Sequence, residues 1–364
     1  MVSQKRKFNW KIIAVPAVGL GAFLVYILVF RVDLAQIVTM VEGANLTLYA
    51  LAGVAAILDV LLSSVAWNIL LRFLTVKIPF MKSFLYVWFG IYVDTLIPAE
   101  SISGEIAKVY LVSKDYNGNP GKTTASLVVQ RLISMGINIG TLFLGVLVLL
   151  VRGELPSDPV ILDLILFLIS VTFVFLILIL LLCVKETWTL RIADAIIKFA
   201  DRVSRGRWKL AGFREGIVEA AEAFHCGMRD FAHAPRTLIA AITLFVLSWI
   251  MNLSIFYLTF LSVGYTSINW GTILIVCSIF MAVKSIPIGV PFEVGLPEIT
   301  LTTLFSALHV DLGVATTVTI LTRLLTHWMR FFIGFGAQQW IGVRASVALG
   351  SENKDENNSE VGKA

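Results

Sequence analysis

A chain of 364 residues that is 58% hydrophobic and only 15% charged is excluded from the ordinary soluble globular class. Its formal net charge of +5 does not mark a nucleic-acid binder, because the basic residues gather between apolar runs. Those runs reach about 20 residues or more, enough to cross roughly 30 Å of hydrocarbon, where only helices and closed barrels satisfy their own backbone.

Taken in order, the chain opens with Lys5, Arg6, Lys7 and Lys11 ahead of the apolar run 12–30. This reads as a retained first helix with its N-terminus in the cytoplasm. The run Leu46–Phe73 returns to a short loop edged by Arg72, Lys77 and Lys82, which the positive-inside rule also places in the cytoplasm. Residues 84–97 and 106–112 are then too short to span and are separated by the polar stretch Pro98-Ala-Glu-Ser-Ile-Ser-Gly-Glu105. Loop parity requires 82–112 to enter and leave on one face, as a re-entrant hairpin with the polar stretch at its tip. Spans at 124–151 and 160–184 follow.

Residues 185–236 carry ten Lys or Arg and belong on the cytoplasmic side. Apolar residues recur there at helical spacing. They predict amphipathic helices, lying on the inner leaflet or packed on the cytoplasmic end of the bundle. After the span 237–261, a second broken segment, 271–308, carries Pro291-Phe-Glu-Val-Gly-Leu-Pro-Glu298 and enters from the opposite side. The span 314–342 then returns to the cytoplasm, and 346–364 is a disordered polar tail. The expected architecture is therefore all-α and polytopic, with six spanning helices and two re-entrant hairpins of opposite orientation. In it 82–151 corresponds to 271–342 as an inverted repeat, and 1–345 forms one transmembrane domain.

Both broken stretches read Pro-x-Glu-x-x-x-x-Glu, and each precedes an arginine inside the next apolar segment, Arg131 and Arg323. Glu100, Glu105, Glu293, Glu298, Arg131, Arg323 and Arg330 all fall at or near membrane depth. A charge at the centre of a helix costs roughly 2.5–3.5 kcal/mol there, which makes each a functional candidate. The hairpin tips also present helix N-termini, which attract a lipid phosphate or a carboxylate. Two readings stay open: Glu105–Arg131 and Glu298–Arg323 as structural pairs, or as groups that handle a ligand. Arg323, His327 and Arg330 share one helix face, and His327 reads as a hydrogen-bonded packing residue. The cysteines, Cys183, Cys226 and Cys277, form no pairing framework and read as packing residues. There is no Walker A loop, metal-ligand spacing or nucleophile elbow, so neither metal nor cofactor is expected.

The stretch Leu96-Ile-Pro-Ala-Glu-Ser-Ile-Ser-Gly-Glu-Ile-Ala-Lys108, followed by Ala125-Ser-Leu-Val-Val-Gln-Arg131, resembles blocks of the lysylphosphatidylglycerol synthase transmembrane region. So does Ile286-Pro-Ile-Gly-Val-Pro-Phe-Glu-Val-Gly-Leu-Pro-Glu298 with Arg323. Lys108 stands where that family usually has Arg, Gln130 where it often has Glu, and Pro297 interrupts the glycine-rich second block. The resemblance implies a flippase-like membrane protein acting on a polar-headgroup lipid, anionic or polyprenyl-linked. The synthases' aminoacyltransferase domain and the glycosyltransferase domain of some archaeal relatives are both missing here, so the chain is not expected to be an enzyme. The expected substrate-binding residues are Glu105, Lys108, Arg131, Glu298 and Arg323, with Glu100, Glu293, His327 and Arg330 around them. The expected location is the cell membrane with both termini cytoplasmic. The expected partners are lipid and a separate transferase, without nucleic acid. Two rival readings are a proton-coupled transporter of a small polar solute, and a non-transporting scaffold that presents lipid-linked substrate to the transferase.

Overall fold

The computed structural model describes residues 34–97, 102–116, 118–153, 159–184, 191, 211–284 and 295–342. The expected first helix at 12–30, most of 185–210, the tail, Glu100 and Glu293 lie outside the described residues. The described residues form helices without strands. They are α1 (Leu34–Glu42), α2 (Leu46–Phe73), α3 (Phe80–Leu96), α4 (Ile102–Tyr116), α5 (Pro120–Arg152), α6 (Pro159–Val184), α7 (Ala211–Ala232), α8 (Pro235–Ser262), α9 (Trp270–Lys284), α10 (Leu296–Ala307) and α11 (Leu312–Arg323). A π-helical turn, Leu324–Met329, carries α11 without a break into α12, residues 330–342.

The helix starts follow from local chemistry. The side-chain oxygens of Asn45, Asn119 and Asp311 each accept two amide hydrogen bonds from the first turn of α2, α5 and α11. Helix α3 stops at Ile97, which turns extended (φ −109°, ψ 109°) because Pro98 follows and excludes the helical conformation from its predecessor. Helix α4 is longer than the expected 106–112. It begins before Gly104 and runs on through Lys114 to Tyr116, since nothing in 102–116 breaks a helix once Pro98 has been passed.

The centre of the fold is the antiparallel pair α2 and α8. At one end the Asn45 amide donates to the Ser262 carbonyl (2.7 Å), and at the other the rings of Phe73 and Phe231 lie 5.2 Å apart. Helices α3 and α4 form a hairpin whose open end is tied by Tyr86 and Lys82 to Asp115, at 2.5 and 4.0 Å. Its tip is tied by Asp94 to Ser103. Helices α9 and α10 form a second hairpin. Its open end packs Leu308 and Val310 with Phe260, near Ser262. The two hairpins therefore open toward opposite ends of the central pair.

The packing is reciprocal. Helix α5, which follows the first hairpin, lies on α9 of the second. Gly145 meets Ile275, and Asn138 and Thr141 bond Ser278 at 3.1 and 3.0 Å. Helix α12, which follows the second hairpin, lies on α3 of the first. A Cβ on Gly334 would sit 2.6 Å from the Trp88 carbonyl, so the crossing requires glycine. The elements of the two hairpins and the helices after them recur at a displacement of about 190 residues.

Helices α2, α5 and α8 are, among the described residues, the three long and apolar enough to cross a membrane. Their outward faces carry Leu51, Val54, Phe143, Leu147, Ile242 and Val246, whereas Ser64, Asn68, Ser248 and Asn252 are buried inside. This inside-out arrangement suits lipid as the surrounding solvent. By contrast α9 is buried on every side from Gly271 to Phe280, the behaviour of a core helix. Helix α7 packs on the bundle: Phe224 and Phe231 enter a cluster with Leu70 and Leu74, and His225 Nδ1 lies 3.1 Å from the Cys183 carbonyl. Cys183 and Cys277 are buried as packing residues, but Cys226 is exposed because it faces away from that cluster.

Candidate functional site

Each hairpin brings its glutamate to the arginine of the following helix, but the two pairs are not alike. In the second half Arg323 Nε donates to Glu298 Oε1 at 2.7 Å, and both side chains are 5% exposed. The other carboxylate oxygen accepts the Gly295 amide at 2.6 Å, closing the N-terminus of α10. Gly295 sits at φ +100°, a conformation open to glycine at little cost. Glu298 is thus fully engaged by its own protein. In the first half Arg131 Nη1 lies 3.5 Å from both oxygens of Glu105, a loose contact, with the side chains 27% and 30% exposed.

Beside the loose pair stands Lys108. Glycines 90 and 104 let α3 and α4 approach closely, and the aliphatic stem of Lys108 runs along Gly90. Its ammonium lies 5.3 Å from the ring centroid of Trp67, whose indole is held by a 3.1 Å bond to Ser126. Lys108 is only 9% exposed, yet among the described residues it makes no hydrogen bond and no ion pair. Glu105 and Asp94 act on it only across a longer distance.

Asp94 was not anticipated. One of its oxygens accepts from Ser103 Oγ at 2.7 Å and from the Gly104 amide at 2.6 Å, so it closes the N-terminus of α4 as Glu298 closes that of α10. Both helix ends expected to receive a ligand anion are therefore occupied by the protein's own carboxylates. Asp94 is also within electrostatic reach of Lys284 at the end of α9, which in turn acts on His327. The polar groups of the two hairpins thus approach one another.

Arg323 and Arg330 both face protein but reach different partners. The π turn between them inserts a wider coil. Arg323 reaches α10, whereas Arg330 Nη2 binds Asp59 Oδ2 on α2 at 2.7 Å. Asp59 also accepts from Ser248 Oγ and, at 3.3 Å, from Asn252 Nδ2, both on α8. This cluster lies where the central helices cross. His327 is buried against Trp328, and its Nε2 has no hydrogen-bond partner among the described residues. Asp59, Asp94 and Lys284 carried the same signal as the named candidates, a lone charge in an apolar run.

Comparison with known proteins adds a family relationship to this geometry. The sequence profile described as lysylphosphatidylglycerol synthase TM region matches residues 12–334. A UPF0104 membrane protein of Pyrococcus horikoshii is 23% identical over 322 residues, covering 86% of this chain and 93% of that protein. A second UPF0104 membrane protein, from Methanocaldococcus jannaschii, is 24% identical over 309 residues, covering 84% and 88%.

Proposed function

The chain belongs to the lysylphosphatidylglycerol synthase TM-region family, and from that premise we propose that it binds a polar-headgroup lipid and carries it across the bilayer. The observation that carries this reading is Lys108, an ammonium enclosed by protein that makes no hydrogen bond or ion pair among the described residues. Burying an unpaired charge is costly unless something compensates it, and a lipid phosphate arriving beside Glu105 and Arg131 does so. The partial exposure of that pair gives the headgroup a way in. The exposed apolar side chains Ile102, Ile106 and Tyr110 on α4 meet its tails. No catalytic role is assigned to the chain. Glu298 and Arg323, closed on each other, hold the second hairpin while the first meets the ligand.

In this reading the hairpins are re-entrant and enter the cell membrane from opposite faces, as parts of a six-span inverted repeat. Arg72, Lys77, Lys82, Lys114 and Lys122 mark the cytoplasmic end, and α12 ends beside them, where Ile341 packs with Val76 and Ile78. Single cysteines at Lys114 and Glu42 are expected to react from the cytoplasmic and outer sides respectively in intact cells. Labelling of both from one side removes the opposed hairpins.

Reconstitution into vesicles with headgroup-labelled phospholipid tests the activity itself. Lys108→Met and Arg131→Leu are each expected to fold, to keep their detergent melting temperature to within about 4 °C, and to lose most translocation. Undiminished translocation in both well-folded variants overturns the assignment.

A further inference from the structure

The charges around Lys108 also bear on which phosphate fits. Arg131 is partly met by Glu105, which leaves the Lys108 ammonium without an ion pair among the described residues. Asp94 acts electrostatically on that same ammonium, and its engaged oxygen is fixed by Ser103 and Gly104. The second oxygen accepts no hydrogen bond among the described residues. It lies so close to Gly104 that a Cβ there would strike it. Asp94 is thus a rigid negative charge at the hairpin tip, held by neutral donors rather than by an ion pair. At the helix N-termini, Asp94 and Glu298 already hold the amides of Gly104 and Gly295.

We infer that the site accepts a headgroup carrying one phosphate charge, a phosphodiester, and that Asp94 is the specificity-determining residue that turns away a doubly charged phosphate. The inference rests on the lipid-binding reading of this same site. A phosphodiester brings one negative charge to one unpaired ammonium. A terminal phosphomonoester or a diphosphate brings about two, and the second meets Asp94 and Glu105 in surroundings that screen little.

The test uses the purified full-length chain in neutral detergent at pH 8, with binding read by calorimetry. The probes are dihexanoyl phosphatidylglycerol, dihexanoyl phosphatidic acid and farnesyl diphosphate. The wild-type protein is expected to bind the phosphodiester about tenfold or more tightly than either doubly charged probe. Asp94→Asn keeps an oxygen for Ser103 and Gly104 and is expected to narrow that preference to about threefold or less. Lys108→Met is expected to weaken all three. Equal wild-type affinity for the three probes, with Lys108 still required, overturns the charge selection and leaves the lipid site standing. So does a preference unchanged by Asp94→Asn. Wild-type protein that binds none of them overturns both.

Discussion

Arg323→Leu is expected to destabilise the protein by about 3–5 kcal/mol, because it strands the Glu298 carboxylate in a site sealed from solvent. Glu298→Gln in the same chain is expected to recover much of that loss. The glutamine oxygen still accepts the Gly295 amide, and the unpaired charge is gone. Arg131→Leu, the corresponding change in the first half, is expected to cost about 1 kcal/mol or less, since its pair is long and partly open. Thermal unfolding in detergent of the two single variants and the double measures the contrast. Equal losses for Arg131→Leu and Arg323→Leu would mean that the two halves are energetically alike and that the first pair is not held open for a ligand.

Asp59→Leu is the second change with a large expected effect, again about 3–5 kcal/mol. The carboxylate is the common acceptor for Arg330, Ser248 and Asn252, so its removal leaves a guanidinium and two polar side chains without their partner where α2 crosses α8. Pairing it with Arg330→Met removes the stranded charge and is expected to restore most of the stability. The same melting measurement reads the outcome. A loss of about 1 kcal/mol or less for Asp59→Leu alone would show that Arg330 finds another acceptor.

Glu298–Arg323 shows how far a pattern in the chain carries. The pairing was one of two open readings of a repeated Pro-x-Glu-x-x-x-x-Glu motif, and the fold brings those two residues into contact. The helical class, the short segments on either side of each break and the family were legible as well, since each depends on local composition, run length and motif. Asp94 shows where that reading stopped. It lay inside an apolar run and drew no notice, because its role depends on Ser103 and Gly104 arriving opposite it across the hairpin.

Arg330 makes the same point about register. Spacing along an ideal helix put it on one face with Arg323; a π turn lies between them, and Arg330 binds Asp59. Local composition and motif determined by themselves that this is a helical membrane protein with two broken, charge-bearing segments. The tertiary structure alone decided which charges pair with one another and that Lys108, among the described residues, makes no ion pair. The physical reason is that an ionic partner is set by distances across the bundle, which residues far apart in the chain settle jointly.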